Sequence, residues 1–209
     1  MDANTLVQFG LRWIHFLAGV VWIGHLWFFN LVNANFQKEI EGPVKKVVNP
    51  RLMWRSLFWF RWGAMFTFLT GWLYLGHKAG VQGFTETFVN QSWGQWILIG
   101  AILGTRMWYN VWFVIWPNQQ IILAAVDKGE APPADLVARA GALSRENTFN
   151  SVPLLFAMGA ASHLPLKFQD YWWVYAISLG LGWGIAKFFL DFSAGAGKWE
   201  SPAAAPAAK

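Results

Sequence analysis

The chain contains no cysteine. That absence excludes covalent haem attachment through a CxxCH motif, cysteine-ligated iron–sulfur clusters, thiolate zinc sites and disulfides. Any redox chemistry must then use an imidazole-bound or externally supplied cofactor. Charge is scarce too, at 13% of 209 residues, with 11 acidic side chains against 16 basic ones. Histidine is rarer still, at four copies: His15, His25, His77 and His163. No internal repeat and no shift of composition divides the chain.

Apolar and aromatic residues fill the remainder. The chain is 56% hydrophobic and carries 16 tryptophans and 18 phenylalanines, more rings than a soluble core of this size needs. Such a load suits a protein whose aromatics line both membrane interfaces. Five segments, at about 7–33, 57–80, 93–117, 148–164 and 171–191, approach or exceed the ~20 apolar residues that cross a bilayer. The expected fold is an all-α integral membrane protein, a bundle of about five transmembrane helices forming a single domain over 1–195. Residues 196–209, ending in the low-complexity run SPAAAPAAK, read as a disordered tail.

Basic residues sort between the two sides of this bundle. Lys38, Lys45, Lys46, Arg51, Arg55 and Arg61 follow the first span, Lys128, Arg139 and Arg145 the third, and Lys187, Lys198 and Lys209 the last. Only Arg12, Lys78 and Lys167 fall on the other side. The positive-inside bias sets the N-terminus outside and the C-terminus in the cytoplasm, as in a multi-pass protein of a bacterial inner membrane. The formal charge of +5 is thus a topology signal, and nucleic acid is not an expected partner. The first span lacks a basic n-region and a cleavage site, so it does not read as a signal peptide.

Residues 34–56 read as a polar connection broken at Gly42-Pro43 and Asn49-Pro50, and 81–92 as a short outer loop. Residues 127–133 are a turn. The stretch 134–147 spaces Leu136, Ala140 and Leu143 helically and reads as a short helix along the inner surface, and the fourth span, only 16 residues before its proline, is either tilted or begins within that polar helix.

His15 lies inside an apolar run, where an ionisable side chain needs compensation and marks a functional site by default. At 1.5 Å per residue it lies about 12 Å from the outer end of the first span. His77 and His163 fall near the outer ends of the second and fourth spans. His25 lies about 15 Å deeper than His15, with no histidine at its own depth, and reads as structural. Imidazoles at one depth, with no thiolate available, point to one non-covalently held haem b with two histidine ligands. His15 and His163 are the expected pair. His77 is the alternative second ligand, though it reads as well as an interfacial hydrogen-bonding residue.

Local spacing supports this. Arg12, His15 and Gly19 share one helix face. Arg12 would neutralise a propionate, and Gly19 would leave room for the ring. Gly159, four residues before His163, repeats the device. Small residues also serve plain helix packing, as Gly100 and Gly104 do in this reading. Arg106, near the middle of the third span, needs a partner, and no acidic residue is expected at its depth. Asn110, backbone carbonyls or a bound anionic group are the candidates.

The stretch GAILGTRMWYNVWFVIWPNQQIILAAVDKGEAPPADLVARAGALSRENTFNSVPLLFAMGAASHLPL, residues 100–166, resembles the membrane domain of the bacterial membrane-bound urate hydroxylases, the urate oxidase N-terminal family. RWIHFLAGVVWIG, residues 12–24, is similar to that family's first span. The family pattern falls on His15, Trp22, Gly24, Gly104, Thr105, Asn110, Pro117, Asn118, Gln119, Asn147, Pro153 and His163. The resemblance implies a urate- or purine-oxidising membrane component. Full-length members carry more spans and a C-terminal cytochrome c domain, whereas this sequence has no CxxCH, so a separate cytochrome c would take the electrons.

Three functions remain in view from sequence. The first is an electron-transferring haem b protein that exchanges electrons with a periplasmic cytochrome c or the subunits of a larger redox complex. The second is a urate or purine hydroxylase component using an external cytochrome c. The third is a cofactor-free membrane subunit that anchors a redox complex. Membrane lipid is a partner in each, and homo- or hetero-oligomeric assembly is compatible with all three.

Overall fold

The structure, a computed structural model, describes residues 2–198 and is helical throughout, with no strand among them. The helices are α1 (Ala3–Glu39), α2 (Gly42–Gln82), the short α3 (Phe84–Phe88), α4 (Ser92–Asp127), α5 (Ala134–His163) and α6 (Phe168–Ser193). Short connections make sequential long helices antiparallel. The bundle therefore has an N-terminal end, where α1 starts, and a hairpin end, where α1 turns into α2.

Three of these helices, α1, α4 and α6, are long and apolar enough to cross a membrane. Both α2 and α5 carry exposed charges, Lys46, Arg51 and Arg55 on the first and Asp135, Arg139 and Arg145 on the second, beside polar residues that face the bundle. Thr67, Thr70, Asn147, Thr148 and Ser151 are all buried. Large apolar side chains of α1 and α6 lie at the surface: Phe16 is 69% exposed and Leu181 62%. That surface suits lipid better than water.

Several boundaries differ from the sequence reading. The expected connection 34–56 is helical except at Ile40–Glu41, because Pro43 falls in the first turn of α2, where its missing N–H costs nothing. Pro50 is absorbed inside α2. The outer loop 81–92 contains α3. The surface helix 134–147 and the fourth span are one unbroken 30-residue helix, α5. Asn147, Thr148 and Ser151 in its middle are buried against neighbouring helices, while Asp135, Arg139 and Arg145 are exposed. Of the tail, residues from 199 onward lie outside the described residues.

Close helix contacts run through glycines. A Cβ on Gly63 of α2 would lie 3.0 Å from the Trp22 backbone nitrogen on α1, and one on Gly182 of α6 would lie 2.8 Å from Pro153 on α5. Hydrogen bonds then tie the half of the bundle nearer the hairpin end. Trp27 Nε1 donates to Ser151 Oγ at 2.9 Å, and Asn30 Nδ2 to Ser144 Oγ at 2.9 Å, joining α1 to α5. Asn147 Nδ2 donates to the Met107 carbonyl at 3.0 Å, while Asn110 Nδ2 donates to Asn147 Oδ1 at 2.9 Å, joining α5 to α4. Two π-helical turns, Phe28–Asn33 in α1 and Asn110–Ile115 in α4, each contribute an asparagine to these ties.

Arg106 is not without an acidic partner, contrary to expectation. Its Nε donates to Glu146 Oε1 at 2.9 Å, and Asn110 Nδ2 donates to the same oxygen at 3.2 Å. Glu146 reaches Arg106 because residues 134–147 belong to the long helix α5, which packs along α4, rather than to a separate surface helix.

Asn147 is fully buried and bridges both amide and carbonyl partners. Asn147→Leu leaves the Met107 carbonyl and Asn110 amide short of partners, and is expected to destabilise the bundle by about 1–3 kcal/mol. Thermal unfolding in detergent is the measurement, and an unchanged midpoint would show the ties to be dispensable.

Candidate functional site

Above the Trp27–Ser151 and Asn30–Ser144 ties, α1 and α5 leave a cavity of about 1160 Å³ toward the N-terminal end. Sites for drug-sized ligands run to roughly 300–1,000 Å³, so this one suits a larger guest. Residues of α1, α2, α4 and α5 line it, among them Arg12, His15, Gly19 and Gly159. Phe9, Phe16, Val20 and Leu155 belong both to its wall and to the exposed apolar surface, so the mouth opens sideways through apolar side chains.

His15 is the imidazole in this wall. Its Nδ1 lies 2.8 Å from the Thr67 carbonyl oxygen. A carbonyl can only accept, so Nδ1 carries the proton and Nε2 keeps its lone pair. Among the described residues Nε2 has no hydrogen-bond partner, yet it is not sealed off from the cavity. Holding one ring nitrogen by a backbone carbonyl is how proteins orient a metal-binding histidine.

Gly71 of α2, which the sequence reading did not single out, makes this pose fit. A Cβ there would lie 3.0 Å from His15 Cε1 and 3.1 Å from Nδ1. In the sequence Gly71 is one glycine among large residues, indistinguishable from a packing glycine. At Gly159 a Cβ would meet nothing within 4 Å, and at Gly19 only Thr67 at ordinary contact distance. Gly159 thus faces open space, whereas Gly19 borders Thr67.

Two cations stand at the N-terminal end of the cavity. The Arg12 guanidinium lies 5.9 Å from the Tyr74 ring centroid, and Lys78 Nζ lies 3.5 Å from that of Trp93. Tyr74 and Trp93 are both wall residues. Among the described residues neither cation has a carboxylate within ion-pair distance.

The other imidazoles lie elsewhere. His163, at the end of α5, is exposed, outside the wall, and gives its Nδ1–H to the Gly159 carbonyl at 2.9 Å. His77 is half-buried and also outside the wall, and its Nε2 is buried without a partner among the described residues. His25 bonds the Val21 carbonyl of its own helix at 2.8 Å.

Among the described residues no three His, Asp or Glu side chains gather as an ion site. One open imidazole in a large apolar cavity instead suits an iron that brings its own four nitrogen ligands. Arg12 and Lys78 supply the charge that two propionates would need. The residues present thus fit a haem.

Gly71→Ala is expected to push the imidazole by a few tenths of an ångström and weaken the Nδ1–Thr67 bond. Histidine-selective ¹⁵N NMR reads this directly, and an unmoved His15 Nδ1 resonance would contradict the geometry.

Residues 77–208 match the family described as urate oxidase N-terminal. The matched stretch contains α4, α5 and α6, while Arg12 and His15 precede it. No curated protein and no solved structure matches the chain.

Proposed function

Because the chain belongs to the urate oxidase N-terminal family, we propose that it is a urate-hydroxylase-related membrane protein that binds one haem b and transfers electrons. The observation that carries this reading is His15, with Nδ1 pinned to Thr67 and Nε2 open to a porphyrin-sized cavity. Bound there, the haem supplies a reversible one-electron iron couple. His15 Nε2 would hold the iron, Arg12 and Lys78 would hold the propionates, and Gly19 and Gly159 would leave space for the ring. A second histidine from outside the wall, His163 or His77, is the bis-histidine form of this reading.

All five long helices cross the membrane in this proposal. Lys38, Lys45, Lys46, Arg51 and Arg55 cluster at the hairpin end, which supports a cytoplasmic hairpin and an outer cavity in a bacterial inner membrane. A haem at that depth is within reach of a periplasmic cytochrome c or a partner redox complex.

The family match favours a second reading, oxidation of urate or a related purine with electrons passed to a separate cytochrome c. The absorption spectrum of the purified protein separates them. Low-spin haem insensitive to purines supports electron transfer. High-spin haem perturbed by added urate supports hydroxylation, and no Soret band leaves a cofactor-free anchor. His15→Ala is expected to abolish haem retention and His25→Ala to preserve it. Full haem content in the His15 variant would refute the assignment.

A further inference from the structure

We infer that the Tyr74 phenol donates its O–H to a propionate that Arg12 also holds, an inference that rests on the haem reading above. Tyr74, on α2, is 9% exposed and forms part of the cavity wall. A phenol this deeply buried ordinarily finds a partner. Tyr175, 2% exposed, gives its hydroxyl to the Leu166 carbonyl at 2.6 Å. Among the described residues the Tyr74 hydroxyl has no such partner, yet it is not sealed among side chains. Its opening is the cavity that it lines.

The level matches that of Arg12. Helices α1 and α2 run antiparallel, and Gly71 of α2 meets the His15 ring. Tyr74 lies three residues beyond Gly71, about 4.5 Å nearer the N-terminal end. Arg12 lies three residues before His15, the same distance in the same direction. The guanidinium accordingly stands 5.9 Å from the Tyr74 ring centroid. Lys78 follows Tyr74 by one turn on the same face of α2. The imidazole contact, the phenol and the ammonium thus form one stripe leading from the His15 level to the cation end.

Packing alone does not account for the hydroxyl. The Tyr74 ring meets Trp93 edge-on, 6.1 Å between centroids, and packs with Leu75 and Phe88. Phenylalanine would make those contacts equally well. Arg12 and the phenol are neighbouring donors, and among the described residues no aspartate or glutamate lines the cavity. Side-by-side donors without a carboxylate in the wall call for an anionic oxygen brought by the guest. A phenol on that oxygen draws charge away from it. Ferric iron then loses some of its electrostatic stabilisation, so the donor raises the haem potential.

The experiment uses the intact haem-loaded protein in detergent and compares wild type with Tyr74→Phe, which keeps the ring. Resonance Raman spectra read the propionate bending mode, transfer to excess apoglobin reads haem loss, and redox titration reads the potential. Tyr74→Phe is expected to shift the propionate mode, speed haem loss by roughly ten-fold or more and lower the potential, with the spin state unchanged. Loaded instead with haem dimethyl ester, whose esterified propionates carry no charge, the two proteins are expected to lose it at nearly equal rates. Ester lost faster from Tyr74→Phe by the same factor assigns the hydroxyl to packing and overturns the inference. An unshifted propionate mode with unchanged haem loss also overturns it and leaves the haem reading standing. A wild type without haem overturns both.

Discussion

The hydrogen bond from His15 Nδ1 to the Thr67 carbonyl organises this molecule's candidate chemistry. In hydrocarbon a polar donor cannot fall back on water, so it must find a partner within the protein. Here the partner is a backbone oxygen on the neighbouring helix, which cannot swing away. One contact therefore selects the tautomer, fixes the ring plane and leaves a lone pair toward the cavity. Gly71 allows it by lacking the carbon that would collide with the ring.

The remaining architecture keeps that contact in place while leaving space beside it. Polar ties among Trp27, Asn30, Ser144, Asn110, Asn147 and Ser151 close the bundle nearer its hairpin end. The π-helical turns in α1 and α4 carry two of these asparagines. Such turns insert an extra residue into a helix and rotate the segment beyond it. Asn30 and Asn110 lie within these turns and both bond side chains of α5.

Much of this was legible in sequence, and the misses have physical causes. The helical content, the family and the shared face of Arg12, His15 and Gly19 are readable from periodicity and pattern. Helix ends around Pro43 and Pro50 are not, because a proline's effect depends on where the turn begins. Glu146 was assigned to a surface helix because Asp135, Arg139 and Arg145 on the same segment do face outward, whereas Glu146 turns to Arg106 of α4. Gly71 and Lys78 join the site only through contacts between helices, which spacing within one helix cannot reveal. The same limit applies to His163: it lies one turn from Gly159, yet the small angular step between them is enough to leave it off the wall.

The sideways doorway framed by Phe9, Phe16, Val20 and Leu155 has its own consequence. A guest arriving through it must slide past four apolar side chains before it meets Arg12 or His15, so its oiliness sets how readily it enters. A charged guest would have to shed hydration at this threshold, and selectivity begins at the doorway.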